Sequence, residues 1–286
     1  MIQQIISGLA SGASYALLAL GLVMTLKTTN VPNFAMGAMG LLPVYLVWTV
    51  GTRFHIPYAL AIAVGVAGAF GLGWAIERLT IRKLAGLSHF TTVLMTIGVW
   101  FAVNAVVGLI WGYEPRALPS AFAGAFSIGS IVITYQQVVT LVLGIGIAAA
   151  LIAFFRTPWG IRMKAVAEDP VVPRLLGVKA GTVSGLSWAI ASAIAMVAVL
   201  LSAQVTVLTP QSGDDLIING FVAATAGGFS SVGGAVIGGL ALGVIENLAG
   251  GYISTAAAST IALVAIMAIL LIRPTGLLGA SGTREI

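Results

Sequence analysis

No charged residue precedes Lys27, and the chain from Ile5 to Leu26 is almost wholly apolar. An α-helix rises 1.5 Å per residue, so about 20 such residues cross the hydrocarbon core of a bilayer. Comparable runs recur at 34–50, 57–76, 91–112, 135–155, 183–207, 216–230, 232–250 and 256–272. Lipid offers no partner to an open backbone group, so such runs must close their hydrogen bonds internally, as helices. Only 7% of the residues are charged, against about 25% in a soluble domain, which excludes a water-exposed globular surface. The expectation is an all-α polytopic integral membrane protein with eight or nine transmembrane helices, forming a single domain over residues 1–286. The run at 216–230 is short and broken by glycine, and reads as a half-helix or a re-entrant segment. The first run has no cationic leader and exceeds the apolar stretch of a signal peptide, so it reads as a retained span.

Basic residues give the orientation. With the connection at 77–90 in the cytoplasm and alternating spans, Lys27, Arg78, Arg82, Lys83, Arg156, Arg162, Lys164, Arg174, Lys179, Arg273 and Arg284 lie inside. Arg53 and Arg116 lie outside, which accounts for all 13 Lys and Arg. The positive-inside rule therefore puts the C-terminus inside and the N-terminus outside. It also explains the net charge of +5 without a nucleic-acid partner.

Catalytic chemistry is hard to find. There is no cysteine, and His55 and His89 stand far apart, so no metal site or thiol nucleophile is expected. The phosphate loop G-x-x-x-x-G-K-[ST] is missing, as are H-E-x-x-H and the nucleophile elbow. No catalytic residue or cofactor is expected, and the energy for any transport must come from another subunit or a gradient. A charge at the bilayer centre costs about 2.5–3.5 kcal/mol. Within the apolar runs Glu246 alone carries one, toward the outer end of its span, where it either reaches the interface or stands at the mouth of a pathway. Glu77, beside Arg78, reads as an interfacial ion. Asn104, Gln204, Asn219 and Asn247 are expected to bond between helices.

Glycine spacings at Gly8–Gly12, Gly234–Gly238 and Gly239–Gly243 mark tight helix crossings. Two Gly-rich runs echo each other weakly. The first contains Asn33, Gly37 and Gly40, the second Gly228 and Gly234, and each precedes a span, a short outer loop and another span. Broken segments of this kind often meet at a midplane site in transporters. The two runs are expected to approach each other there and, with Glu246, to flank a translocation pathway.

The connection at 156–182 is the most charged stretch. Thr157 suits an N-cap, Pro158 the first helical position and Pro170 a stop. On the helix so bounded, Trp159, Met163 and Val166 share one face, while Arg162 and Glu168 lie off that stripe. A further turn through Leu176 stops at Gly177, a residue suited to a C-terminal cap. Such an amphipathic helix either lies on lipid headgroups or docks in a protein groove, and its mixed charges, Glu168 and Asp169 included, favour the groove.

At this point the chain resembles the LivH-type permease family of branched-chain amino acid ABC importers along nearly its whole length. The resemblance is carried by Gly12-Ala13-Ser14-Tyr15-Ala16-Leu17 with Gly21, by Asn33-Phe34-Ala35, and by Arg156-Thr157-Pro158-Trp159-Gly160 with Ala167-Glu168-Asp169. Leu175-Leu176-Gly177-Val178, the glycines from Gly227 to Gly239, and Arg273-Pro274-Thr275-Gly276-Leu277-Leu278-Gly279 complete it. It implies an inner-membrane subunit working with a second permease, two ABC ATPase subunits and an extracytoplasmic solute-binding protein. It also assigns the ATPase contact to the 156–177 loop, and so to Trp159, Arg162, Met163, Val166, Glu168, Asp169, Leu176 and Gly177. The family usually follows Asn-Phe-Ala with His-Gly-Asp or His-Gly-Glu, where this chain has Met36-Gly37-Ala38. Branched-chain or other hydrophobic amino acids are the expected solutes, with urea, an amide or another amino acid as alternatives on the same architecture. An autonomous ion-coupled carrier and a scaffold subunit that moves no solute are the readings from other classes.

Overall fold

The computed structural model describes residues 1–84, 86–120, 122–129, 131–168, 173, 177–229, 231–273 and 275–278. Helices form at every one of the apolar runs. They are α1 (Ile2–Thr29), α2 (Met36–Arg53), α3 (Tyr58–Leu79), α4 (His89–Trp111) and α5 (Tyr135–Phe154), then, after the short α6 (Pro158–Glu168), α7 (Ala180–Ala203), α8 (Ser212–Gly227), α9 (Val232–Tyr252) and α10 (Ala258–Ile272). Six of them, α1, α3, α4, α5, α7 and α9, are long and apolar enough to cross a membrane by themselves. Starts are written locally: Ser88 Oγ accepts from Thr91 N, Thr134 and Gln137 form a reciprocal capping box, and Ser231 Oγ accepts from Gly234 N.

α1 and α7 form the centre, with 78% and 72% of their apolar windows buried, whereas α3, α4 and α5 bury less than a third. Peripheral helices thus keep apolar side chains such as Leu94, Phe101, Leu109, Val142 and Ile145 outward, as a lipid-facing surface requires. Two ends can be told apart. At one, Gln3 bonds Val132, Arg116 pairs with Leu208, Trp111 Nε1 donates to Thr49, and Gln204 links Gln136 to Tyr58. At the other, Lys27, Arg156 and Lys164 line one cavity, and Glu77, Arg82, His89 and Lys179 line another. The helices alternate between these ends.

The segment expected to be a half-helix or a re-entrant segment is a 16-residue helix that starts well below the first end and is not re-entrant. Leu208 lies with Arg116 at the first end, and the chain then runs irregularly inward before α8 starts at Ser212. Gly213 packs on Gly37, and Asp214 reaches Trp100 and Asn104, halfway along α4. α8 finishes at the basic end, where Leu277 N donates to Ala226 O. A descent of coil plus 16 helical residues completes the crossing.

The connection at 113–134 contains an element absent from the sequence reading, a hairpin of β1 (Ala125–Ile128) and β2 (Ile131–Thr134). Its signal is a pair of β-prone runs around Gly129. Gln3 at the start of α1 bonds both backbone groups of Val132 and so ties the hairpin to the domain.

Candidate functional site

The expected approach of the two Gly-rich runs does not occur. Gly37 packs backbone to backbone on Gly213 at the start of α8, while Gly234 packs on Gly227 at its end. α8 lies between them, about 24 Å long at 1.5 Å per residue. Gly40 meets Ala195 of α7. Gly228 holds φ 91° at the α8 C-terminus, a conformation only glycine adopts freely. Asn33 is fully buried; its Oδ1 accepts from Ala35 N and fixes the entry to α2. Five of the six residues expected along the pathway are therefore buried packing positions. Met36 and Ala38 have no exposure either; apolar residues there suit the core that contains them.

Glu246 is different. The Tyr15 hydroxyl, halfway along α1, donates to its Oε2 at 2.7 Å, and Ser259 donates to Oε1 at 2.6 Å. Its carboxylate is thus turned between α1 and α10 and does not simply reach for the interface. Asn219 stands beside the same hydroxyl, and Asp215 lies close enough for its charge to act there.

Two acidic residues escaped the sequence reading, because the apolar run began only at 216. Asp214 and Asp215 occupy the first turn of α8, where the helix dipole favours negative charge. Asp214 Oδ1 accepts from Trp100 Nε1 at 2.5 Å and from Asn104 Nδ2 at 3.2 Å. Among the described residues the one ion pair is Glu77 with Arg82, and no described basic side chain pairs with Asp214, Asp215 or Glu246. Beyond them toward the basic end, Phe34 stacks on Phe221 with centroids 4.8 Å apart, and Phe229 follows at 6.2 Å. The mirror case is Glu77. Expected at the interface, it is 1% exposed and held by Arg82 at 2.6 Å, and Arg82 also donates to Gly181 O of α7.

On α6 the apolar stripe divides. Thr157 caps it as expected, through Gly160 N. Met163 and Val166 are buried against the chain's own α1 and α7, so the expectation that they meet a partner is corrected. The stripe faces inward because it is the helix's attachment to its own domain. Trp159, at 42% exposure, remains outside with Arg162 over its ring and with Glu168. Gly177 is exposed with φ 79°; Asp169 and Leu176 lie outside the described residues.

Helices of alternating direction around a buried α1–α7 pair, with a 16-residue helix that begins level with the middle of α4, define a polytopic membrane permease. The chain belongs to the family described as branched-chain amino acid transport system / permease component, whose model matches residues 4–272. It is 32% identical over 97% of its length to the high-affinity branched-chain amino acid transport permease LivH of Salmonella typhimurium, covering 95% of that protein. The corresponding permease BraD of Pseudomonas aeruginosa is also 32% identical over 97% of this chain and 95% of its own. A probable LivH of Methanocaldococcus jannaschii is 30% identical over 92% of this chain and 88% of that one. In fold the chain resembles PsaBC from Streptococcus pneumoniae, with TM-score 0.52, 12% identity and 95% of each chain covered.

Proposed function

We propose that this chain is the translocation subunit of an ATP-driven importer for branched-chain or similar hydrophobic amino acids. Family membership over residues 4–272, in a sequence without a phosphate loop, carries the reading. ATP hydrolysis then belongs to separate ATPase chains, and a second permease completes the membrane part. An extracytoplasmic protein delivers the solute at the Arg116 end. The basic end, with Lys27, Arg82, Arg156, Lys164 and Arg273, faces the cytoplasm by the positive-inside rule.

In this scheme α6 is the element an ATPase engages, through Trp159, Arg162 and Glu168. Its buried face makes it stiff enough to transmit motion: Met163 and Val166 bolt it to α1 and α7, and Asn30 Nδ2 donates to Ala167 O at 3.0 Å. Exposed charges then set register more than affinity. The reading is tested by co-purifying the chain with its ATPases and measuring L-leucine uptake in proteoliposomes. Trp159→Ala and Glu168→Lys should leave the chain folded yet lower ATPase recovery at least fivefold. Met163→Asp should instead diminish the folded chain itself, because it buries an unpaired charge. Full ATPase recovery with both exposed-face variants would remove α6 from the coupling route.

A further inference from the structure

On α8, Asp215, Ile218, Asn219 and Val222 recur at i, i+3, i+4 and i+7, and all four stay exposed or half-buried. A stripe with this spacing on a membrane helix should be apolar if lipid covers it. Half of it is polar. Beside it Tyr15 holds Glu246, and neither Asp215 nor Glu246 has a basic partner among the described residues. Phe221 lies six residues beyond Asp215, about 9 Å further toward the basic end, stacked on the exposed Phe34. The aromatic pair lies about 120° around the helix from Asp215, so the apolar members of the open flank itself are Ile218 and Val222, interleaved with its anionic and hydrogen-bonding groups.

We infer that this flank selects the solute: Asp215 and the Tyr15–Glu246 pair receive an ammonium group, with Asn219 as a neutral hydrogen-bonding neighbour, and Ile218 with Val222 seats the apolar part. The inference rests on the reading that the chain lines a solute route, and adds to it which group of the solute is read and by which residues. Two carboxylates without a cation favour a positive group and disfavour a carboxylate. The positive end of a zwitterion is therefore held here, and its own carboxylate points away, into the space that the second permease closes. Apolar contact with Ile218 and Val222 suits a branched aliphatic side chain.

The test uses the complete importer in proteoliposomes, with labelled L-leucine, 2-hydroxy-4-methylpentanoate and urea as probes. Asp215→Asn and Glu246→Gln are each expected to lower leucine uptake at least tenfold, with assembly checked by size exclusion. Asp215→Glu, which keeps the charge, is expected to retain more uptake than Asp215→Asn. Leucine uptake by assembled Asp215→Asn and Glu246→Gln complexes within twofold of wild type overturns the inference and leaves the solute reading standing. A wild-type complex that moves urea or the hydroxy acid but no leucine overturns both. If Asp215→Asn does not assemble, Glu246→Gln decides by the same threshold.

Discussion

Where α1 meets α9, Gly8 and Gly12 lie against Gly243 and Gly239, and the two backbones touch. Along α8, which α1 also contacts, the outward flank carries Asp215 and Asn219, and Asp214 is clasped from α4. The first contact is closed, and at its four glycines backbone meets backbone. The second is open and holds carboxylates without a basic partner among the described residues, at a depth where each charge is expensive. Lipid supplies no hydrophobic drive between helices, so association depends on close packing, and glycine permits the closest. Polar groups survive at such depth mainly where function retains them. The contrast separates residues that build the domain from residues that use it.

The seam should be the easier of the two to destroy. Gly239→Leu drives a side chain into the Ala16 backbone; overpacking alone costs about 1–3 kcal/mol, and backbone leaves less room to adjust than side chains do. Recovery of monodisperse protein in detergent should fall more than tenfold, and near-normal recovery would show that the seam can open. Asp214→Ala comes next. It leaves Trp100 Nε1 without its acceptor in a half-buried site, a loss of about 1–3 kcal/mol, and should lower the thermal unfolding midpoint by several degrees. An unchanged midpoint would mean that the clasp contributes nothing to stability. Smallest is Tyr15→Phe, since hydrogen bonds between membrane helices average about 0.6 kcal/mol. Its midpoint should barely move while leucine uptake falls, and a large loss of stability without loss of uptake would transfer Tyr15 to the structural side of the comparison.

The apolar runs were readable because about 20 residues of one character leave little ambiguity, and most basic side chains among the described residues gather at one end of the structure, Arg53 and Arg116 apart, as their positions along the runs required. α8 was placed four residues late because an Asp-Asp pair looks like a loop; only the tertiary partners Trp100 and Asn104 show why it can be helical inside. The stripe on α6 was real but misdirected. Periodicity says that Met163 and Val166 are covered, not by what, and the nearest apolar surface was their own domain. Glycine was the least legible residue. Gly37, Gly40 and Gly234, read as pathway residues, each meet the backbone of another helix, a partner that spacing cannot name.

The Glu77–Arg82 clasp bears on how the chain is made. Its two members are five residues apart, so both leave the ribosome within moments of each other, and the carboxylate can be neutralised before anything further along exists. Gly181 O, the third party, arrives about a hundred residues later. Asp214 is the reverse: its partners at Trp100 and Asn104 are already in the membrane when it emerges. The basic end of α3 can therefore settle on its own during insertion, whereas α8 has a defined place only after α4 is in position to receive it.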